Sequence, residues 1–319
     1  MRFWLKACLF TVLLTLVMAL LPAALFQEGR PLQETPRAPV KPTGAKTISQ
    51  SLYELRGRGA GTEWEREAAE ILATYFRDIG LEALPAYPDY LQEFPVGSVT
   101  HFYNGEGRLR FRSEGPLTRT SQNVIGYLPG QDPEGKWIIF GAHYDGQGEI
   151  NGTVYPSAND NLSGVMALLA LAKNLAAGPA RQDTLVFVAF GAEEPGLLGS
   201  SYLAGNLPVP KEKIQAVINL DTIGKTCDAL VLYTAAPDAL TALLTPVLES
   251  YGFEVVTVKA AGVSDHYPFS RLGIPSVTIA TANWKEGNHS PADTLDQLDL
   301  RQVGSIAGAL KQALRYLSY

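Results

Sequence analysis

Apolar and polar positions along this chain change rhythm partway. From about residue 121 onward, short apolar runs alternate with stretches of helical spacing. The strand-like runs are NVIGYL, WIIFGAH, TLVFVAF, AVINLD, ALVLYT, FEVVTV and PSVTIA, and helical spacing falls at about 162–177, 197–206, 237–251 and 300–317. Runs so dense in Val, Ile, Leu and Phe read as strands buried on both faces. Their alternation with helices predicts an α/β fold: a mostly parallel (mixed) central sheet with helices on both faces. Ahead of this region, TEWE at 62–65 is a capping box, and Trp64, Ala68, Ile71, Leu72, Tyr75, Phe76 and Ile79 continue at helical spacing to Gly80, a C-terminal cap. Residues 81–120 read as irregular β structure with turns at NGEG, and no internal repeat is visible.

The first 47 residues have a different character. Arg2 and Lys6 precede an uncharged stretch at 7–27 rich in Leu, Val and Ala. That is the pattern of an export segment. LPAALFQ is a poor cleavage site, and the run approaches the roughly 20 residues that span a bilayer. Residues 1–27 are therefore expected to be a signal peptide or an N-terminal membrane anchor through 7–26, with the anchor preferred and a periplasmic or extracellular location in either case. Residues 28–47, with Pro31, Pro36, Pro39 and Pro42, read as a semi-extended linker. The expected catalytic domain is 48–319.

Composition narrows the function. A formal charge of −6 without a basic patch excludes an ordinary nucleic-acid binder. The two cysteines are Cys8, in the export segment, and Cys227, so neither an internal disulfide nor a thiolate-based zinc site is expected in the domain.

The candidate chemistry gathers at strand ends. WIIFGAHYDG ends in His143 and Asp145, TLVFVAFGAEE in Glu193 and Glu194, AVINLDTIG in Asp221, and PSVTIATANWKEGNHSPADT leads to His289 and Asp293. SANDNLSG places Asp160 where a helix begins. In a parallel sheet these positions converge on the carboxyl edge, where ligands bind. Of the four histidines, His143 and His289 lie in these segments and His266 in VSDHYPF just before the last of them, while His101 lies apart. Imidazole and carboxylate without thiolate suit Zn²⁺, and less selectively Mn²⁺ or Co²⁺. Two such ions need a bridging carboxylate, for which Asp160 is placed, and Asp145 is spaced to orient the imidazole of His143. Adjacent glutamates at a buried strand end repel. A metal relieves that repulsion if Glu194 binds it while Glu193 faces substrate and takes a proton.

These motifs, GAHYDG, SANDNLSGV, FGAEEPGLLGS, NLDTIG, VSDHYPF and NHSPADTLD, occur in the order found in the zinc aminopeptidases of metallopeptidase family twenty-eight, which the chain resembles over about residues 48–319. The resemblance implies a zinc-exopeptidase fold and two zinc ions. His143 and Asp221 would hold the first, Glu194 and His289 the second, and Asp160 would bridge them. Glu193 would act as general base and then acid, Asp145 would lie behind the ligands, and Asp265 and His266 would have supporting roles. The implied substrates are peptides with a free N-terminus.

The chain departs from the pattern at Asn288, where several members place a Tyr that steadies the oxyanion. Asp293 reads as a turn cap through PADT, and the glycines of SGV and LLGS as close-packing positions. Other readings stay open. A glutaminyl cyclase shares the fold, but cyclases tend to carry Trp beside the last His, and here the neighbours are Asn288 and Ser290, with Trp284 farther off. A carboxypeptidase or dipeptidase would want an Arg, and Arg271 is the one near the late motifs. A catalytically dead binding module is disfavoured by the intact ligand set.

Overall fold

The structure, a computed structural model, describes residues 47–236 and 239–317. The expected export segment and nearly all of the linker lie outside the described residues. Among the described residues, no helix is long and apolar enough to cross a membrane.

Helix α1 (Ile48–Tyr53) opens on a box made by Thr47 and Gln50. A short turn (Arg56–Arg58) then leads to α2 (Glu63–Asp78). Thr62 caps α2 as predicted, its hydroxyl accepting the Glu65 N–H at 3.4 Å. Glu65 does not close the box on Thr62, however. Its carboxyl is fully buried and accepts instead from the Gly61 N–H at 2.6 Å. Gly80 ends the helix at φ 87°, and the Leu81 N–H reaches back to the Phe76 carbonyl at 3.0 Å.

Strand β1 (Glu82–Ala83) is followed by β2 (Leu91–Tyr103) and β3 (Leu109–Leu128). Here the structure corrects the sequence reading. Residues 91–128 are a regular antiparallel ribbon whose register runs from Leu91↔Val124 to Tyr103↔Leu109, with one irregularity between Val96 and Ser98. Its tip is closed by Asn104, whose side-chain oxygen accepts the N–H groups of Glu106 and Arg108 at 3.1 and 2.9 Å. The outer half of the ribbon is largely solvent-exposed, so it lacks the apolar alternation that marks a half-buried strand.

The regular part follows the predicted order: β4 (Trp137–His143), β5 (Gly148–Ile150), β6 (Thr153–Tyr155), a π-type turn (Ala158–Leu162), α3 (Ser163–Ala176), β7 (Thr184–Phe190), α4 (Leu198–Gly205), β8 (Ile214–Leu220), β9 (Ala229–Thr234), α5 (Ala239–Glu249), β10 (Glu254–Lys259), α6 (His266–Arg271), β11 (Ser276–Thr281) and α7 (Leu300–Leu317). The main sheet has nine strands in the order β1-β3-β7-β4-β8-β11-β9-β10, with β2 joined to β3. The middle strands β7, β4, β8 and β11 are parallel. β3 runs antiparallel to β7, and β9 antiparallel to β11, so the sheet is mixed.

Alternation along each strand divides the core. Ile138, Phe140 and Ala142 of β4 pack with α2, α3, α5 and α7 on one face. Ile139, Val186 and Val188 pack with Leu203 of α4 and Phe269 of α6 on the other. After β4 the chain goes first to β7 on one side of it and then to β8 on the other. This reversal opens a crevice at the carboxyl end of β4, where His143 sits.

Candidate metal centre

Register explains how the site assembles. His143 is level with Phe190 across β4 and β7, so both chains leave the sheet side by side. The Asp145 carboxylate therefore meets the turn after β7 and accepts the N–H groups of Glu193 and Glu194 at 2.9 and 3.2 Å. Its backbone carbonyl lies 3.2 Å from His143 Nδ1, which leaves Nε2 facing the crevice. That Nε2 is buried and has no hydrogen-bond partner. It lies 3.3 Å from an Asp160 oxygen, 3.6 Å from Asp221 and 4.0 Å from Glu193.

On the far side of Asp160, His289 Nε2 is 3.2 Å from the second Asp160 oxygen and 3.2 Å from Glu194. Its Nδ1 is held by the backbone carbonyl of Leu109, at the ribbon tip, 2.6 Å away. The donor atoms thus form two clusters, His143–Asp160–Asp221 and Asp160–Glu194–His289, and Asp160 belongs to both. A buried imidazole nitrogen without a partner, aimed at two carboxylates, fits a cation better than any protein donor. The nitrogen–oxygen donor set, with no sulfur, fits a pair of zinc ions.

Electrostatics point the same way. Burial disfavours the imidazolium of His143, but Glu193 with Asp145, Asp160 and Asp221 outweighs it and holds the pKa well above the ordinary value. At His289 burial is likewise overcome, by Glu194 and Asp160, and the pKa is pushed up to about 11. Burial raises Glu193 well above the carboxylate range against the opposing pull of His143, with Glu194, Asp265 and Asp221 adding to the rise. Glu194 is raised by burial against His289. So many carboxylates in a dry crevice call for positive charge, which is what the adjacent glutamates imply.

The backbone around the centre is held in uncommon conformations. Ser157, Ala192, Thr222 and His289 all have φ between 50° and 57°, in the left-handed region. Each such residue costs on the order of 1–3 kcal/mol unless its surroundings hold it. Specific bonds do so. The Ala192 N–H donates to Glu65, the Thr222 N–H to the Asn161 side chain, and His289 to the Leu109 carbonyl.

The remaining predicted residues are found in different settings. The Asn288 amide donates to Asp160 at 3.0 Å, so it steadies the shared ligand. Asp265 is fully buried, and its two oxygens have no hydrogen-bond partner; burial pushes it up to about 7. His266 Nδ1 pairs with the Thr278 hydroxyl at 2.7 Å, and burial lowers its pKa to about 4. Arg271 is exposed on α6 and does not line the cavity over the ligands. Gly164 and Gly199 are close-packing positions, as read: a Cβ there would lie 2.4 Å from the Leu220 carbonyl and 2.3 Å from that of Gly191.

Several partners of the ligands had no sequence signal. Asp293 accepts the N–H groups of Asn159 and Asp160 at 2.7 and 3.0 Å, anchoring the turn that carries the shared ligand. Ser264 donates to Asp221 at 2.7 Å, and the Gln147 amide donates to Glu194. Only the PADT motif hinted at Asp293, and it suggested a cap on its own turn.

Two ligand clusters sharing one carboxylate, at the switch point of a mixed α/β sheet, make a paired metal-binding site on a zinc-exopeptidase-like fold. Residues 123–314 match the family described as Peptidase family M28, and the chain belongs to that family. The aminopeptidase YwaD of Bacillus subtilis is 32% identical over 206 residues, 60% of this chain and 44% of that protein. A probable leucine aminopeptidase of Arthroderma otae is 30% identical over 191 residues, 56% of this chain and 52% of that protein. The chain spans about half the length of these curated relatives.

Among solved structures, a zinc aminopeptidase from Bacillus subtilis superimposes with TM-score 0.69 at 20% identity, covering 84% of this chain and 93% of that one. A glutaminyl cyclase from Porphyromonas gingivalis gives 0.63 at 20%, covering 84% and 95%. At such identities the likeness speaks for the fold.

Proposed function

We propose that this chain is a zinc-dependent aminopeptidase that hydrolyses the N-terminal residue of peptides. The observation that carries the proposal is Asp160 lying between His143 and His289, with Glu193 beside the pair but in neither cluster. The relatives named as aminopeptidases support the reading. When bound, a zinc pair polarises the scissile carbonyl and makes the attacking water more acidic.

Glu193 takes the proton from that water and returns it to the leaving amine. Its raised pKa suits both steps, because a carboxyl poised nearer neutrality can accept and donate. Asp145 fixes the Glu193 and Glu194 backbone, while Asn288 and Asp293 hold Asp160. Asp265 and His266 are buried, and His266 bonds to Thr278, which lines the cavity. The catalytic domain is residues 48–319, and Arg2, Lys6 and the apolar stretch at 7–27 support export.

A second reading has one observation in its favour. Trp284, close to His289 in sequence but not adjacent to it, lines the same cavity, as a glutaminyl cyclase would want. Incubating the zinc-loaded full chain with a mixed peptide library that includes Gln-initiated members separates the two by mass spectrometry. Stepwise loss of N-terminal residues, abolished by a chelator, is the expected result. Loss of ammonia from Gln-initiated peptides alone would replace the aminopeptidase with a cyclase.

A further inference from the structure

Above the ligands is a cavity of about 270 Å³ lined by Asp160, Glu193, Glu194 and His289, and also by Arg108 and Arg110. Both arginines come from the tip of the ribbon, ahead of the segment matched to the family. They share a face because they are two apart on an extended chain. The Arg108 guanidinium lies 4.5 Å from the centre of the Trp284 ring, and the indole N–H of that ring is bonded to the Tyr233 hydroxyl at 2.9 Å. The fork is therefore stacked on a fixed plate. Its Nε and Nη1 are buried and bonded to nothing.

The contrast with Arg58 is instructive. That side chain is fully buried, and it spends its N–H groups on the carbonyls of Tyr144, Leu52, Pro156 and Ser157. Arg58 is a brace. An arginine bracing the ribbon would do the same, whereas the Arg108 guanidinium lines the cavity and donates to none of the described residues. Burial and Arg110 lower its pKa, while Asp160, Glu194 and Asp221 raise it, which marks how near it lies to the ligands. Nε or Nη1, paired with Nη2, which also donates to none of the described residues, gives an edge that matches a carboxylate in two parallel hydrogen bonds.

We infer that Arg108, stacked on Trp284 and seconded by Arg110, is a specificity residue that binds a carboxylate of the peptide substrate. The preferred substrates are then short peptides whose own C-terminal carboxylate falls within the cavity, or peptides with an acidic side chain there. A cavity this small holds only a residue or two, which puts the terminal carboxylate of a dipeptide within reach. The inference rests on the peptidase reading above.

The test compares Leu-Ala with Leu-Ala-amide, and Leu-Glu-amide with Leu-Gln-amide, using zinc-loaded wild type, Arg108→Ala and Arg108→Lys. Wild type is expected to favour the anionic member of at least one pair by tenfold or more in kcat/KM, chiefly through KM. The first pair reports a terminal carboxylate and the second an acidic side chain. In Arg108→Ala the anionic member should lose at least tenfold more than the neutral one, and Arg108→Lys should recover part of that difference.

No preference in wild type, or equal losses for both members, would overturn the assignment while leaving the peptidase intact. If wild type cleaves none of the four, the peptidase reading fails instead. Calorimetric binding of Leu-Ala to Glu193→Gln, with and without Arg108→Ala, then decides Arg108 alone. Tenfold weaker binding in the double variant supports it, and equal binding refutes it.

Discussion

The carboxyl edge of β4, β7 and β8 and the tip of the β2–β3 ribbon face one another across the same cavity, yet they are built by different rules. The edge is buried, parallel and dense with ionisable groups. Its ligands are held by strand register and by turns whose N–H groups donate to the Asp145 and Asp293 carboxylates. The ribbon is antiparallel and largely exposed, and it reaches the centre through one backbone carbonyl, one aromatic edge and two arginines. The Leu109 carbonyl orients His289, and the Phe111 ring meets that imidazole edge-on at 6.0 Å. A sheet edge concentrates chemistry because many strands end there, whereas a ribbon can change its tip without disturbing the core. The edge therefore suits the reaction, and the ribbon suits selection of what reacts.

The largest effect expected from breaking this division is at the edge. Glu193→Gln should lower kcat by about 10²–10⁴-fold while bound zinc, measured by metal analysis, stays at the wild-type level. Turnover within tenfold of wild type would remove Glu193 from the proton transfers. A smaller loss is expected one layer out. Asp293→Ala frees the turn carrying Asp160 and should weaken zinc binding by about 10–100-fold, read by competition with a chromogenic chelator. Unchanged affinity would mean that the turn holds its shape without Asp293.

The smallest effect belongs to the joint between the two regions. Glu65 accepts from the Ser121 hydroxyl on β3 at 2.7 Å and from the Ala192 N–H in the edge turn at 3.1 Å. Burial, with Asp145 nearby, pushes its pKa from 4.5 to about 8 in the fold. A carboxyl raised in this way holds its proton more tightly folded than unfolded. Its contribution is complete below 4.5 and is lost as pH rises towards about 8. Glu65→Gln, which cannot titrate, should therefore flatten the fall in Tm across that interval, by a few degrees at most. Parallel Tm–pH curves for the two proteins would show that Glu65 does not titrate in that range.

How much of this was legible follows from residue chemistry. His143, Asp160, Glu194, Asp221 and His289 stood out because histidines are scarce in this chain and each carboxylate follows an apolar run or precedes a helix. The partners that steady them did not stand out. Leu109 acts through a carbonyl that any residue would supply, and Asn288 and Asp293 reach Asp160 from more than a hundred residues away. β structure with a turn at NGEG was expected here, but the regularity of the ribbon was missed because its outer half exposes both faces and so carries no period-two signal.

Hydrophobic periodicity and the order of the motifs determined by themselves that this chain folds as a mixed α/β sheet with a metal-ligand set on one edge. Both are local properties, written in the spacing of neighbouring residues. Which oxygen faces which nitrogen, which arginine is spent as a brace and which is left open over the cavity, was decided only by the tertiary structure. Hydrogen-bond geometry depends on contacts between segments distant in sequence, and residue spacing along the chain does not encode them.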